Sequence, residues 1–202
     1  MADLTTLLLH EAPLAFLDVE TTGLWPDQGD RVVEIAVVRT QGLSEVARFD
    51  TFINPQRPLD PGAMRINGIT PAMVAGAPTF SDTLSRLLPL IEDVILVCHN
   101  APFDLGFLEA ELRIAATPVW DGVALDTLAF ARQQYWFRSN KLGTIAAELG
   151  IRPPDAHRAL ADALTTQAIF RRFAGRLQRQ QRPLVADWLQ MQGGRVWRPS
   201  FR

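Results

Sequence analysis

Residues 14–23 read Leu14-Ala15-Phe16-Leu17-Asp18-Val19-Glu20-Thr21-Thr22-Gly23, an apolar run that closes on two carboxylates and a turn. Its length, its content of Leu, Phe and Val, and Pro13 in front predict a buried strand over residues 14–19 that enters a turn at Thr21-Thr22-Gly23. Side chains alternate along a strand, so Asp18 and Glu20, two positions apart, project to one face. Two like charges at the end of an apolar strand repel unless a cation sits between them, and hard oxygen donors suit Mg²⁺ or Mn²⁺.

Working outward, residues 32–38 (VVEIAVV) and 46–53 continue the strand signals, with Gln41-Gly42 as the turn between them. Three sequential strands with short connections predict an antiparallel meander. The period then changes: residues 80–90 have helical spacing, 94–98 (VILVC) form a short β-branched run, and 103–112 are helical again after Pro102. A fifth strand is predicted at 123–125, then helices at 127–134, 142–149 and 159–173. The expected fold is a mixed α/β sheet with helices concentrated in the second half.

The 202 residues are 48% apolar and 21% charged, enough for one ordinary core and unlike a disordered or disulfide-stapled chain. No apolar run reaches the roughly 20 residues of a membrane helix, and Asp3 stands where a secretory leader carries basic residues. A soluble, unexported protein in the cytoplasm, without a membrane partner, is expected. The single cysteine, Cys98, cannot form an intrachain bridge, which fits a reducing compartment. The net charge of −2 conceals two opposed parts: residues 1–131 hold 7 Arg against 18 Asp and Glu, and residues 132–202 hold 13 basic against 4 acidic residues. A carboxylate-rich centre beside a basic surface for a polyanion fits that asymmetry.

Two further acids have the context to join Asp18 and Glu20. Asp104 falls in the first turn of the helix after VILVC, inside His99-Asn100-Ala101-Pro102-Phe103-Asp104, a position a carboxylate also favours for the helix dipole. Asp162 lies in His157-Arg158-Ala159-Leu160-Ala161-Asp162 on an otherwise apolar helix, where an unpaired charge is costly. Five positions separate His157 from Asp162, about 140° on a regular helix, and Pro153-Pro154 interrupts helix upstream, so His157 is expected on the approach to the helix. A neutral imidazole there suits a general base near pH 7.

These residues resemble a known family. Asp18-Val19-Glu20-Thr21-Thr22-Gly23-Leu24, then His99 through Asp104, then His157 through Asp162 look like the three exonuclease motifs, in order, of the DEDD superfamily of 3′–5′ exonucleases in its histidine variety, the group that includes the proofreading epsilon subunit of bacterial DNA polymerase III. The resemblance spans about residues 12–173. It implies a ribonuclease H-like five-stranded sheet of order 3-2-1-4-5 flanked by helices, two divalent cations held by Asp18, Glu20, Asp104 and Asp162, and His157 as general base. It also implies contacts to the terminal nucleotide from Thr21, Thr22, Gly23, Leu24, His99, Asn100 and Phe103, with Leu24 wedged beside the last base and the glycine letting backbone N–H groups approach. Asn67-Gly68-Ile69-Thr70 resembles a further family segment whose first position is often His.

The function so implied is release of nucleoside monophosphates from single-stranded 3′ ends, DNA favoured. An RNA-trimming exoribonuclease and a non-catalytic nucleic-acid-binding module are the alternatives, and the second predicts loss of a catalytic side chain, none of which is missing. Residues 1–173 are expected to form the exonuclease domain and 174–202 a basic tail. Arg172, Arg176 and Arg179 share one helical face, expected to extend the substrate track or to dock an acidic partner such as a polymerase subunit, with Trp188 and Trp197 as anchors.

Overall fold

The structure, a computed structural model, describes residues 3–152 and 158–194. Five strands form one sheet: β1 (Pro13–Thr21), β2 (Val32–Gln41), β3 (Ser44–Phe52), β4 (Ile95–Cys98) and β5 (Ala124–Asp126). Their order is β3-β2-β1-β4-β5, the order implied by the ribonuclease H-like resemblance. The first three pair antiparallel, and β4 and β5 join parallel to β1. The predicted turn between β2 and β3 turns at Gly42, where φ is +57° and a Cβ would lie 2.1 Å from the carbonyl oxygen of His10, so only glycine fits.

Between β3 and β4 lie α1 (Pro61–Asn67), α2 (Pro71–Val74) and α3 (Phe80–Ile91). After β4 come α4 (Ala101–Ile114), then, beyond β5, α5 (Thr127–Gln134), α6 (Leu142–Glu148), α7 (Ala159–Arg179) and α8 (Val185–Met191). Alternation along β1 divides its side chains between two cores. Ala15, Leu17 and Val19 pack with α3 and α4, whereas Leu14 and Phe16 pack with α5, α7 and α8. Asp18 and Glu20 continue the Leu14/Phe16 series and therefore emerge on the α7 side of the sheet.

The end of the chain differs from the expected appended tail. The boundary expected at residue 173 falls inside α7, which runs unbroken to Arg179. Trp188 is fully buried, stacked on Phe130 and Phe170 with ring centroids 4.2 and 4.7 Å away, so it holds α8 to this core and is not available as a partner anchor. Leu9 and Val185 exchange backbone hydrogen bonds with Pro183 and Leu7, tying the first described residues to α8. Aromatic side chains buried this way contribute about 1.5–3 kcal/mol each. The arginine face on α7 is also not uniform: Arg176 lies over the Tyr135 ring, 4.5 Å from its centroid, while Arg172 and Arg179 remain exposed. Trp197 lies outside the described residues. Among the described residues no helix is long and apolar enough to cross a membrane.

Candidate active site

Parallel pairing between β1 and β4 ends at Phe16 and Val97, so the two strands part beyond that point while β1 remains paired to β2 as far as Thr21. A crevice opens at the carboxyl ends of the strands, the usual ligand position in open α/β sheets. Divergence leaves the Val19 N–H without a strand partner, and Asp104 accepts it through Oδ1 at 3.2 Å. The α4 N-terminus thus delivers a buried acid to the tip of β1 from one face of the sheet. From the other face, the first turn of α7 delivers Asp162.

Asp18, Glu20 and Asp162 each place a carboxylate oxygen within 4.8 Å of the other two. Burial, then the charges of Asp104, Asp162 and Glu20, push Asp18 well above the usual carboxylate range. Glu20 is pushed up to about 7 by burial and by Asp162 and Glu34, against partial opposition from an Asn67 hydrogen bond and Arg158. Burial also raises Asp104, with the Val19 N–H acting the other way. A hard-oxygen donor set that so disfavours its own ionisation fits a divalent cation, whose charge favours the ionised form of all four acids. Asn67, at the position where the related segment often carries His, donates from Nδ2 to the Thr21 carbonyl at 3.3 Å, and its side chain reaches Glu20.

The other expected residues have unequal places. The Thr21 hydroxyl donates to the Gly23 carbonyl at 2.6 Å, and the Thr22 hydroxyl donates to Asp30 at 2.9 Å, so both are committed to the turn. Gly23 also has a packing reason. A Cβ there would lie 2.3 Å from the Asp30 carboxylate, which is fixed by Thr22, the Trp25 N–H and Arg57. The turn is therefore built around an acid that the strand pattern did not single out, and it leaves Leu24 and Trp25 63% and 60% exposed at its crest.

His99 is pinned at both nitrogens: Nε2–H donates to the Asn140 carbonyl at 3.0 Å, and Nδ1 lies 2.9 Å from the Thr127 hydroxyl. Burial lowers its pKa and keeps it neutral. Asn100, left-handed at φ +82°, starts α4 with its side chain exposed and its N–H donated to Asp126 at 3.0 Å. Asp126 also caps α5 through the Leu128 and Ala129 N–H groups, so one carboxylate joins two helix starts. Phe103 is half-buried and packs on Phe107 at 5.0 Å. His157 lies outside the described residues.

Glu34, an acid within an apolar strand, is 2% exposed and opposite Glu20 in the β1–β2 register. Arg158 donates to it from Nη2 at 2.8 Å and from Nε at 3.0 Å, and the Ala159 N–H adds a bond at 3.2 Å. The start of α7 is thereby tied to β2, which fixes the turn that carries Asp162.

Carboxylates drawn from three chain segments into one crevice agree with the comparison to known proteins. The exonuclease family (RNase T) matches residues 15–170. The chain belongs to the exonuclease family. A DNA polymerase III subunit epsilon-like protein of Rhodobacter capsulatus is 40% identical over 178 residues, covering 82% of this chain and 25% of that protein. The DNA polymerase III subunit epsilon of Treponema pallidum is 36% identical over 169 residues, covering 80% of this chain and 75% of that protein. Among solved structures, exonuclease X in complex with 5′ overhanging duplex DNA superposes with a TM-score of 0.65 at 26% identity, covering 89% of this chain and 99% of that one. The chain spans from 12% to 25% of the length of the first curated relatives it matches.

Proposed function

We propose that this exonuclease-family chain is a 3′–5′ exonuclease that hydrolyses the terminal phosphodiester of single-stranded DNA and releases nucleoside monophosphates. The observation that carries the reading is the convergence of Asp18, Glu20 and Asp162 within 4.8 Å, with Asp104 buried beside them. Asp18, Glu20, Asp104 and Asp162 would hold two divalent cations, Mg²⁺ or Mn²⁺. When bound, such ions lower the pKa of a water and stabilise the leaving 3′ oxygen. His157 takes the proton of the attacking water as general base. The turn of Thr21, Thr22 and Gly23 presents Leu24 to the terminal base, and His99, Asn100 and Phe103 border the same nucleotide from the start of α4. Arg158, held on Glu34, keeps the turn carrying Asp162 in register with β1 and β2.

DNA as substrate is supported by relatives named as DNA polymerase III subunits, and these also support a polymerase subunit as partner and a cytoplasmic site of action. The test is digestion of matched 5′-labelled DNA and RNA oligonucleotides with Mg²⁺ or Mn²⁺. A ladder shortening from the 3′ end of DNA, lost in Asp18→Ala, is expected. Faster shortening of RNA would replace DNA by RNA as the substrate, and no shortening of either would remove the hydrolytic reading.

A further inference from the structure

Beside Asp162 the crevice continues into a cavity of about 910 Å³, within the range of sites that hold a whole organic ligand. His99 and Asn100 line it at the end of β4, Arg132 on α5, and Asn140 and Lys141 on the connection to α6. Its polarity changes along its length. Asp162 is the acid at one end, whereas Arg132 and Lys141 are exposed cations for which no side-chain hydrogen bond or ion pair is found among the described residues. Other arginines near the crevice are already committed: Arg158 to Glu34, Arg57 to Asp30 and Arg31 to Glu111. The buried side-chain oxygen of Asn140 has no hydrogen-bond partner. On the same α5–α6 connection stands Trp136, 88% exposed, an unusual position for an indole.

A polyanion whose reacting phosphate lies at the acid cluster needs cations only for the phosphates that follow, and a single strand also needs flat apolar surface for its bases. We propose that this cavity is the subsite for the nucleotides immediately upstream of the scissile bond, with Arg132 and Lys141 on their backbone phosphates and Trp136 stacking an upstream base. The assignment rests on the exonuclease reading and deepens it: the terminal nucleotide is positioned by the motif residues, and the grip on the rest of the strand comes from α5 and the connection after it. Neither cation touches the reacting atoms, so both act on affinity for a strand rather than on the chemical step.

The experiment compares the Arg132→Gln/Lys141→Gln double variant and Trp136→Ala with the parent on two ligands. The first is a fluorescent dT12 oligonucleotide, bound in an Asp18→Asn background and read by anisotropy across a salt series. The second is the p-nitrophenyl ester of thymidine 5′-monophosphate, which has no upstream nucleotide, hydrolysed with Mn²⁺. The double variant is expected to bind dT12 about tenfold more weakly and to lower the log–log salt slope by about 1.4, the value for two single-strand phosphates. Trp136→Ala is expected to weaken dT12 binding by roughly fivefold to a hundredfold with the slope unchanged, because stacking carries no charge. Hydrolysis of the ester should remain that of the parent in both variants. Equal dT12 affinity and slope in parent and double variant would overturn the subsite. A parent that binds dT12 but leaves the ester intact would instead count against the hydrolytic reading, while the binding comparison still decides the subsite.

Discussion

Glu111 and Asp18 are both carboxylates in or beside the core, and the fold treats them in opposite ways. Glu111 on α4 receives Nε and Nη2 of Arg31 at 2.8 Å each and the Val32 N–H at 3.0 Å, so both its oxygens are met and β2 is clamped to α4. Glu34 is met similarly by Arg158 and Ala159. Asp18 faces Glu20, Asp162 and Asp104, like charges whose mutual repulsion raises its proton affinity. One set of acids is completed by the chain and holds it together. The other gathers like charges in one crevice, an arrangement that costs folding and that a bound cation would relieve.

The sharpest way to break this contrast is to remove one acid from each set. Asp18→Ala or Asp162→Ala is expected to abolish hydrolysis of a labelled oligonucleotide while leaving the metal-free protein as stable as the parent or up to about 2 kcal/mol more stable, since repulsion is relieved. Denaturant unfolding with and without chelator checks both halves. A marked loss of metal-free stability would show that repulsion within the cluster is not what these acids contribute to the fold.

His157→Ala is expected to lower turnover by about 10² to 10⁴-fold with metal binding retained, because the ligands remain. Single-turnover assays over pH 6–9 measure it, and unchanged turnover at neutral pH would take His157 out of the mechanism.

Glu111→Ala should do the reverse of Asp18→Ala. It leaves Arg31, only 16% exposed in its side chain, with a charge and no carboxylate opposite it, only the Pro55 carbonyl at 3.4 Å, and a loss of about 3–5 kcal/mol is expected, with or without metal. Urea midpoints at constant slope are the measurement. A loss below about 1 kcal/mol would place Arg31–Glu111 among pairs that contribute little.

The readability of these two sets in the sequence differs for physical reasons. The period of two along residues 14–20 was enough to place Asp18 and Glu20 together, because a strand imposes it on any side chain. Asp104 was legible as a first-turn acid, but its bond to Val19 depends on where β1 and β4 part, a matter of tertiary register. Nothing within VVEIAVV marks the partner of Glu34, because Arg158 is 124 positions away. Asp30 was invisible because a loop acid has no period, and the glycine that marks it, Gly23, admits another reading in sequence. The helices at 61–67, 71–74 and 185–191 are short, and α8 is held by packing of Trp188 on aromatic side chains from α5 and α7, a tertiary contact that no local period shows.

A smaller effect sharpens the same contrast through pH. Glu20 sits at about 7 in the metal-free fold, above its unfolded value of 4.5. The folded state binds the proton more tightly, so this group favours folding below pH 4.5 and that contribution is lost as pH rises to about 7. The Glu20→Gln variant should therefore show less decline of metal-free stability between those two values than the parent, measured as melting midpoints in chelator. Parallel pH profiles for the two proteins would remove Glu20 from the coupled cluster.

The central claim, that Asp18, Glu20, Asp104 and Asp162 form one cation centre, is tested most directly by calorimetric titration of Mn²⁺ into the parent, Asp18→Asn and Asp162→Asn at pH 6.5, in two buffers of different ionisation enthalpy. The parent is expected to bind with release of protons, seen as a buffer-dependent heat, because the ion displaces the proton that Glu20, at about 7, holds in its absence. Both variants are expected to lose that heat. Buffer-independent binding in the parent, or binding of equal affinity in all three proteins, would contradict the claim.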